Sequence, residues 1–257
     1  MAGMTKEVSS TMIDAKEISK CYGPFVAVED ISFRIPSCQV VAMLGPNGAG
    51  KSTLMKILTG YLAPSGGSAA IAGHDVQRER LAAAAHVGYL PENGPLYPDM
   101  TALELLRFFG QARGLSAARL KDRIQAVAAQ CSIAEILEKP VGKLSKGLRQ
   151  RVGLSVALLH DPDVLIVDEP TAGLDPNQVR HFREQIADLR KTKTILISTH
   201  ILSEVMAVAD RVIVLNNGRL IFDGKPADLT AGGSPEETFY RWTRDGAPQP
   251  RQLESMT

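Results

Sequence analysis

Two short stretches carry residues whose types and spacing could do chemistry. "GPNGAGKST" (45–53) sets Gly45, Pro46, Asn47, Gly48, Ala49, Gly50, Lys51, Ser52 and Thr53 between an apolar run and a helix-like run, "STLMKILTG". Glycines at this spacing let the backbone curl so that successive N–H groups point inward at phosphate oxygens. The helix that follows offers its positive end to the same anion. Lys51 is placed to reach the β- and γ-phosphates, and the Ser52 hydroxyl to bind Mg²⁺. The pattern predicts binding of a nucleoside triphosphate. The second stretch, "VLIVDEP" (164–170), delivers two carboxylates together at the end of an apolar run. A strand that reaches solvent and stops at Pro170 would read the same way. In a parallel sheet, however, ligands bind beyond the carboxyl ends of the strands. Asp168, on a strand expected to neighbour the phosphate loop, can then hold the Mg²⁺ directly or through water. Glu169 is left to polarise the water that attacks the γ-phosphate.

The elements that must position these groups alternate. "DISFRIPSCQVVAML" (30–44) shows a period of two at Ile31, Phe33 and Ile35, a turn at Pro36-Ser37, and a buried strand from Val40 to Leu44. "TALELLRFFGQARGL" opens with Thr101 and Glu104 at capping-box spacing and closes near Gly114. "SAARLKDRIQAVAAQC" places Leu120, Ile124, Val127 and Cys131 on one helical face. The later half predicts a strand at 164–168, a helix at 176–190, a strand at 194–198 and a helix at 201–209. Asp175-Pro176 is an N-cap and first-turn pair for a helix with the stripe Val179, Phe182, Ile186 and Leu189. A hairpin follows, "RVIVLNNGRLIFD", turning at Asn217-Gly218. Alternating strands and helices argue for a mostly parallel sheet covered on both faces. The helical block from about 100 to 160 interrupts that alternation and reads as an insertion.

Composition bounds the function classes. Across 257 residues the hydrophobic fraction is 44% and the formal net charge +1, so no global field favours nucleic acid or an anionic membrane. No apolar stretch approaches the roughly 18–20 residues that span a bilayer. The start, "MAGMTKEVSSTM", lacks the apolar core of a signal peptide. Cys21, Cys38 and Cys131 lie far apart and without metal spacing, and are expected to be reduced, buried thiols of a cytoplasmic protein.

Five further stretches narrow the reading. "CYGPFVAV" (21–28), "YLPE" (89–92), "LSKGLRQR" (144–151), "AGLD" (172–175) and "STH" (198–200) stand in the order and spacing of an ATP-binding cassette. The chain resembles the nucleotide-binding subunit of an ABC transporter over roughly residues 12–225. The resemblance implies an α/β fold: a P-loop NTPase core with a mostly parallel sheet, an N-terminal antiparallel β subdomain and an inserted α-helical subdomain. The expected ABC ATPase domain runs over 12–230, with the helical subdomain at about 95–160 and a short C-terminal tail at 231–257.

By the same resemblance ATP and Mg²⁺ are the cofactors, and each motif takes a role beside its local one. Ser145, Lys146 and Gly147 open a helix with the stripe Leu148, Val152, Val156 and Leu159; in this family that helix end faces the γ-phosphate bound by a second subunit. His200 contacts the γ-phosphate and helps hold the attacking water, although a histidine there can be structural. Asp175 matches the loop that communicates across the dimer, and an N-cap role satisfies it equally. Tyr22 matches the aromatic that stacks on adenine, or is an ordinary half-buried tyrosine.

Two positions depart from the family pattern. "LSKGL" has Lys146 and Leu148 where the usual signature has Gly and Gln; Lys146 adds positive charge where an anion should sit, so function is expected to be kept. Glu92 stands where the family has the glutamine that touches Mg²⁺ and senses the transporter; glutamate still ligates a hard cation through oxygen. Both changes resemble a branch of bacterial ABC-2-type exporters that includes the gliding-motility ATPases. The implied function is an ATPase subunit that dimerises around two ATP, drives a separate membrane permease and sits on the inner face of the cell membrane through it, with no nucleic acid partner. "ENGPLYPDM" (92–100) is expected to form the groove for a short permease helix. The rivals are a soluble ABC ATPase acting on ribosomes or DNA, and a non-hydrolysing ATP-dependent clamp. Two cassettes or a long coiled-coil insert would favour the first; Glu169 and His200 argue against the second.

Overall fold

The computed structural model describes residues 11–92, 94, 96–230 and 234–244. Asn93, Pro95, 231–233 and 245–257 lie outside the described residues, and with them parts of the expected permease groove and of the tail. Strands β1 (Thr11–Tyr22), β2 (Phe25–Pro36), β4 (Gly66–Ile71) and β5 (His74–Asp75) form an antiparallel sheet in the order β2-β1-β4-β5. A second sheet contains β3 (Val40–Leu44), β6 (Val87–Leu90), β7 (Val164–Asp168), β8 (Thr194–Thr199), β9 (Arg211–Asn216) and β10 (Arg219–Gly224), in the order β10-β9-β3-β8-β7-β6. Its pairings are parallel except for the β9–β10 hairpin. The expectation that the carboxylate strand β7 neighbours the phosphate-loop strand β3 is corrected: β8 lies between them. Strand order is set by where each crossover helix packs, and no local pattern encodes that.

Every residue of β3, β7 and β8 is buried, as continuous apolar runs covered on both faces must be. Their period of two divides the core. Val40, Leu165, Val167, Ile195 and Ile197 face a cluster made with α3 (Ala102–Ala112), α4 (Ala117–Gln130), α5 (Lys146–Leu158) and α6 (Pro176–Leu189). Val41, Met43, Val164, Ile166 and Leu196 face α1 (Lys51–Leu58) and the antiparallel sheet. A third cluster joins Ala42, Leu44, Val212 and Val214 to α7 (Leu202–Val208), with Phe239 and Trp242 of α8 (Pro235–Thr243) packed against it. The remaining helix, α2 (Arg80–His86), leads into β6.

Local signals place the helices. Thr101 and Glu104 form the reciprocal capping box, with Glu104 N–H donating to Thr101 Oγ1 at 3.2 Å and Thr101 N–H to Glu104 Oε2 at 2.8 Å. Leu120, Ile124, Val127 and Cys131 are buried as their spacing predicts. Two expectations are corrected. Cys131 is buried, but Cys21 and Cys38 are exposed, because each sits by a sheet turn rather than on a core-facing position. Helix α5 is not amphipathic in one stripe: Val152–Ser155 and Ala157–Leu159 are all buried while Leu148 and Val156 are only partly so. It packs between the sheet and the other helices, so most of its circumference is covered.

Candidate functional site

The phosphate loop is built by close backbone approach. A Cβ on Gly45 would lie 2.4 Å from the Leu215 carbonyl oxygen of β9, and one on Gly50, which caps α1 at φ 100°, would lie 2.6 Å from Ala27 O of β2. Only glycine meets both constraints. Between them Ala49 N–H closes a turn on Pro46 O at 3.2 Å. Asn47 and Gly48 stand exposed at the mouth, while Ala49 is buried. The turn of the β9–β10 hairpin backs this loop: Gly218 N–H donates to Ala49 O at 3.2 Å, and Glu29 N–H to Gly218 O at 2.8 Å. The sequence reading found the Asn217-Gly218 turn but not this buttress, which no local signal reveals.

Lys51 is buried at the base of α1. Its ammonium donates to Gly45 O at 2.7 Å and Pro46 O at 3.1 Å, and pairs with Glu169 Oε1 at 3.3 Å. The other oxygen of Glu169 lies 2.8 Å from His200 Nδ1. The Glu169 carboxylate thus bridges the lysine of one motif and the histidine of another. Lys51 and Glu169 are largely enclosed, whereas the His200 side chain is 46% exposed. Glu169 adopts a left-handed φ of 47°, a conformation costly for a residue with a Cβ and one that concentrates at functional turns.

Ser198 of the intervening strand joins the two acids. Its hydroxyl donates to Asp168 Oδ1 and accepts from Glu169 N–H at 2.9 Å, and Glu169 N–H also reaches Ser198 O at 3.2 Å. Within "STH" the sequence assigns a role to His200 alone; that of Ser198 needs the strand order, which sets it one strand inward from Asp168. Tyr89 of β6 lies on the other side of β7. Burial, and then the Asp168 charge, push its phenol above the ordinary range, so it stays neutral beside the acids.

The donor set fits Mg²⁺. Asp168 is buried with one oxygen engaged by Ser198, and Ser52, a hydroxyl in the first turn of α1, is partly buried. Both are hard oxygen donors. Among the described residues no group of three or more His, Cys, Asp or Glu could hold a metal. Mg²⁺ at phosphate sites is commonly held by one or two protein oxygens together with substrate phosphates. Glu92 is exposed and lines the same cleft, of about 350 Å³, as Asp168, Glu169, Lys146 and Arg149.

Of the remaining motif residues, Lys146 lines this cleft and the others are held by local contacts of their own. Ser145 caps α5 by accepting from Leu148 N–H at 3.3 Å. Gly147 packs against α6, where a Cβ would lie 2.5 Å from the Gln178 side chain. Lys146 lies along the same chain's Gly173, its Nζ 2.6 Å from where a Cβ there would stand. The lysine of the signature thus turns toward the loop before Asp175. Asp175 caps α6 by accepting from Asn177 N–H at 2.9 Å and Gln178 N–H at 3.0 Å. Tyr22 ends β1 half-exposed, with Lys20 Nζ 5.3 Å above its ring. Thr53 follows Ser52 in α1 and is partly buried.

A glycine loop wrapped between a parallel strand and a helix, facing paired carboxylates two strands away, defines a P-loop nucleoside triphosphatase. The family model described as "ABC transporter" matches residues 28–172. The ATP-binding protein YbhF of Escherichia coli, a probable multidrug ABC transporter protein, is 35% identical over 88% of this chain, which spans 39% of its length. Nod factor export ATP-binding protein I of Cupriavidus pinatubonensis is 37% identical over 86% of this chain and 68% of its own. The solved ATP-binding subunit of an ABC transporter superposes with a TM-score of 0.82 at 31% identity, covering 91% of this chain and 100% of its own. The chain belongs to the ABC transporter family.

Proposed function

We propose that the chain is the ATP-hydrolysing subunit of an exporter, pairing with a second ATPase subunit around two ATP and driving a separate membrane permease. The observation that carries this reading is the Glu169 carboxylate held between Lys51 and His200. In this reading the N–H groups of 45–50 and the Lys51 ammonium bind the phosphates. Glu169 takes the proton of the attacking water. His200, on the exposed side of Glu169, orients that water and the γ-phosphate. Ser52 and Asp168, with Glu92 lining the approach, would hold Mg²⁺, which would neutralise phosphate charge. Tyr22 supports the adenine.

Ser145, Lys146 and Gly147 sit at a capped helix N-terminus, whose positive end suits the γ-phosphate of the partner's nucleotide. Asp175 already caps α6, and Gln178 of that cap touches Gly147, so a movement of this loop reaches the signature helix in the same chain. The ABC-2 exporter branch is supported by the relative named for Nod factor export. Exposed Tyr97 and Phe108, in edge contact at 5.8 Å, offer an apolar surface for a permease helix beside the cleft. No helix of the described residues is long and apolar enough to cross a membrane, and the chain's place is on the inner face of the membrane through its permease. Glu169→Gln tests the reading. It should lower ATP turnover by roughly two to four orders of magnitude, the worth of a general base, with ATP binding retained. Turnover near the wild-type rate would pass the role to another group.

A further inference from the structure

We propose that Glu204 is a positioning residue for hydrolysis, its buried carboxylate tying the turn after Glu169 to the loop that carries His200. Glu204 is 8% exposed. Its Oε1 accepts from Thr171 Oγ1, and its Oε2 accepts from Thr199 Oγ1 at 2.8 Å. Thr199 Oγ1 accepts in turn from Ile201 N–H at 3.0 Å, which closes the loop around His200. Both threonines are buried. A carboxylate is costly to bury unless its oxygens are satisfied, and here each is satisfied by a hydroxyl beside a different functional residue. Thr199 immediately precedes His200, and Thr171 lies two residues after Glu169.

Neither functional side chain is fixed by regular structure. Glu169 lies just past β7 in a left-handed conformation, and His200 lies between β8 and α7. The 2.8 Å contact between them therefore depends on what holds the two loops together. Glu204 spans that gap from α7. That helix is anchored by Leu202 and Val205 in the cluster containing Leu44, the last residue before the phosphate loop. The carboxylate therefore references both loops to the strand that carries the phosphate loop. Direct ligand contact is not required of it.

This inference rests on Glu169 and His200 being the hydrolytic pair. In the full chain, Glu204→Ala should lower kcat roughly 10- to 100-fold, the scale of a small misplacement, with the KM for ATP little changed. Glu204→Gln keeps an acceptor for one threonine and a donor toward the other, and should recover most of the rate. In the background of His200→Ala, Glu204→Ala should add little, because both act on one contact. Should Glu204→Ala fail to fold, Thr199→Val removes one of the hydroxyls with little change of volume and should give the same kcat defect. A variant with lowered melting temperature but wild-type kcat, or fully multiplicative effects with His200→Ala, overturns the proposal. If Glu169→Gln still turns over, the hydrolytic reading itself falls. If Glu169→Gln is inactive while Glu204→Ala and Thr199→Val both keep their kcat, only the Glu204 assignment does.

Discussion

Replacing Ser198 with alanine removes one hydroxyl that serves two neighbours at once. The side chain is fully buried, donating to Asp168 and accepting from Glu169 N–H. The two losses are unequal. Glu169 N–H keeps a second acceptor, the Ser198 carbonyl at 3.2 Å, so the amide is not orphaned. Asp168 loses a donor to a buried carboxylate, and a hydrogen bond to a charged group is worth about 1.5–3 kcal/mol. At about 1.4 kcal/mol per decade of rate, that is roughly 10- to 150-fold in kcat if the orientation of the acids matters chiefly in the transition state. The assay is steady-state phosphate release over ranges of ATP and Mg²⁺, with nucleotide affinity measured separately in the absence of Mg²⁺. The expected result is a depressed kcat, a raised Mg²⁺ requirement and unchanged metal-free nucleotide binding. Ser198→Cys, which retains a weak donor, should fall between. An alanine variant with wild-type kcat and Mg²⁺ dependence would refute the reasoning, since the hydroxyl would then serve only the fold.

Three further outcomes are expected. Gly45→Ala forces a Cβ within 2.4 Å of the Leu215 carbonyl; the backbone must shift, at a cost of about 1–3 kcal/mol, and thermal unfolding and nucleotide titration should both show the loss. Thr101→Ala breaks the capping box of α3 and should destabilise the chain by about 1 kcal/mol in denaturant unfolding without altering ATP affinity. His160 is partly buried and faces the Arg113 charge, and desolvation and then that charge depress its imidazole to about 4. The folded chain keeps it neutral while the unfolded chain protonates it below about 6.5. Stability present at neutral pH is therefore lost as pH falls toward 4. Between pH 7 and pH 5 the wild type should lose about 2 kcal/mol more than His160→Gln in urea unfolding. Equal losses would show that His160 does not carry the slope.

The glycine spacing of 45–53, the apolar run ending at Asp168-Glu169, the capping pairs at Thr101 and Asp175 and the Asn217-Gly218 turn are local devices. Each works through hydrogen bonds and dihedral preferences within a few residues, so the sequence alone determined the elements and which of their ends carry functional groups. What lay between the elements was decided by packing. The insertion of β8 between β3 and β7 placed Ser198 between the acids, and α7 carried Glu204 to two threonines 28 residues apart. The same packing set the hairpin turn against the phosphate loop and folded Lys146 over Gly173. It also exposed two cysteines that composition alone suggested were buried. Those contacts join residues distant in sequence, and their free energy depends on burial and on which faces meet. Only the tertiary structure specifies either.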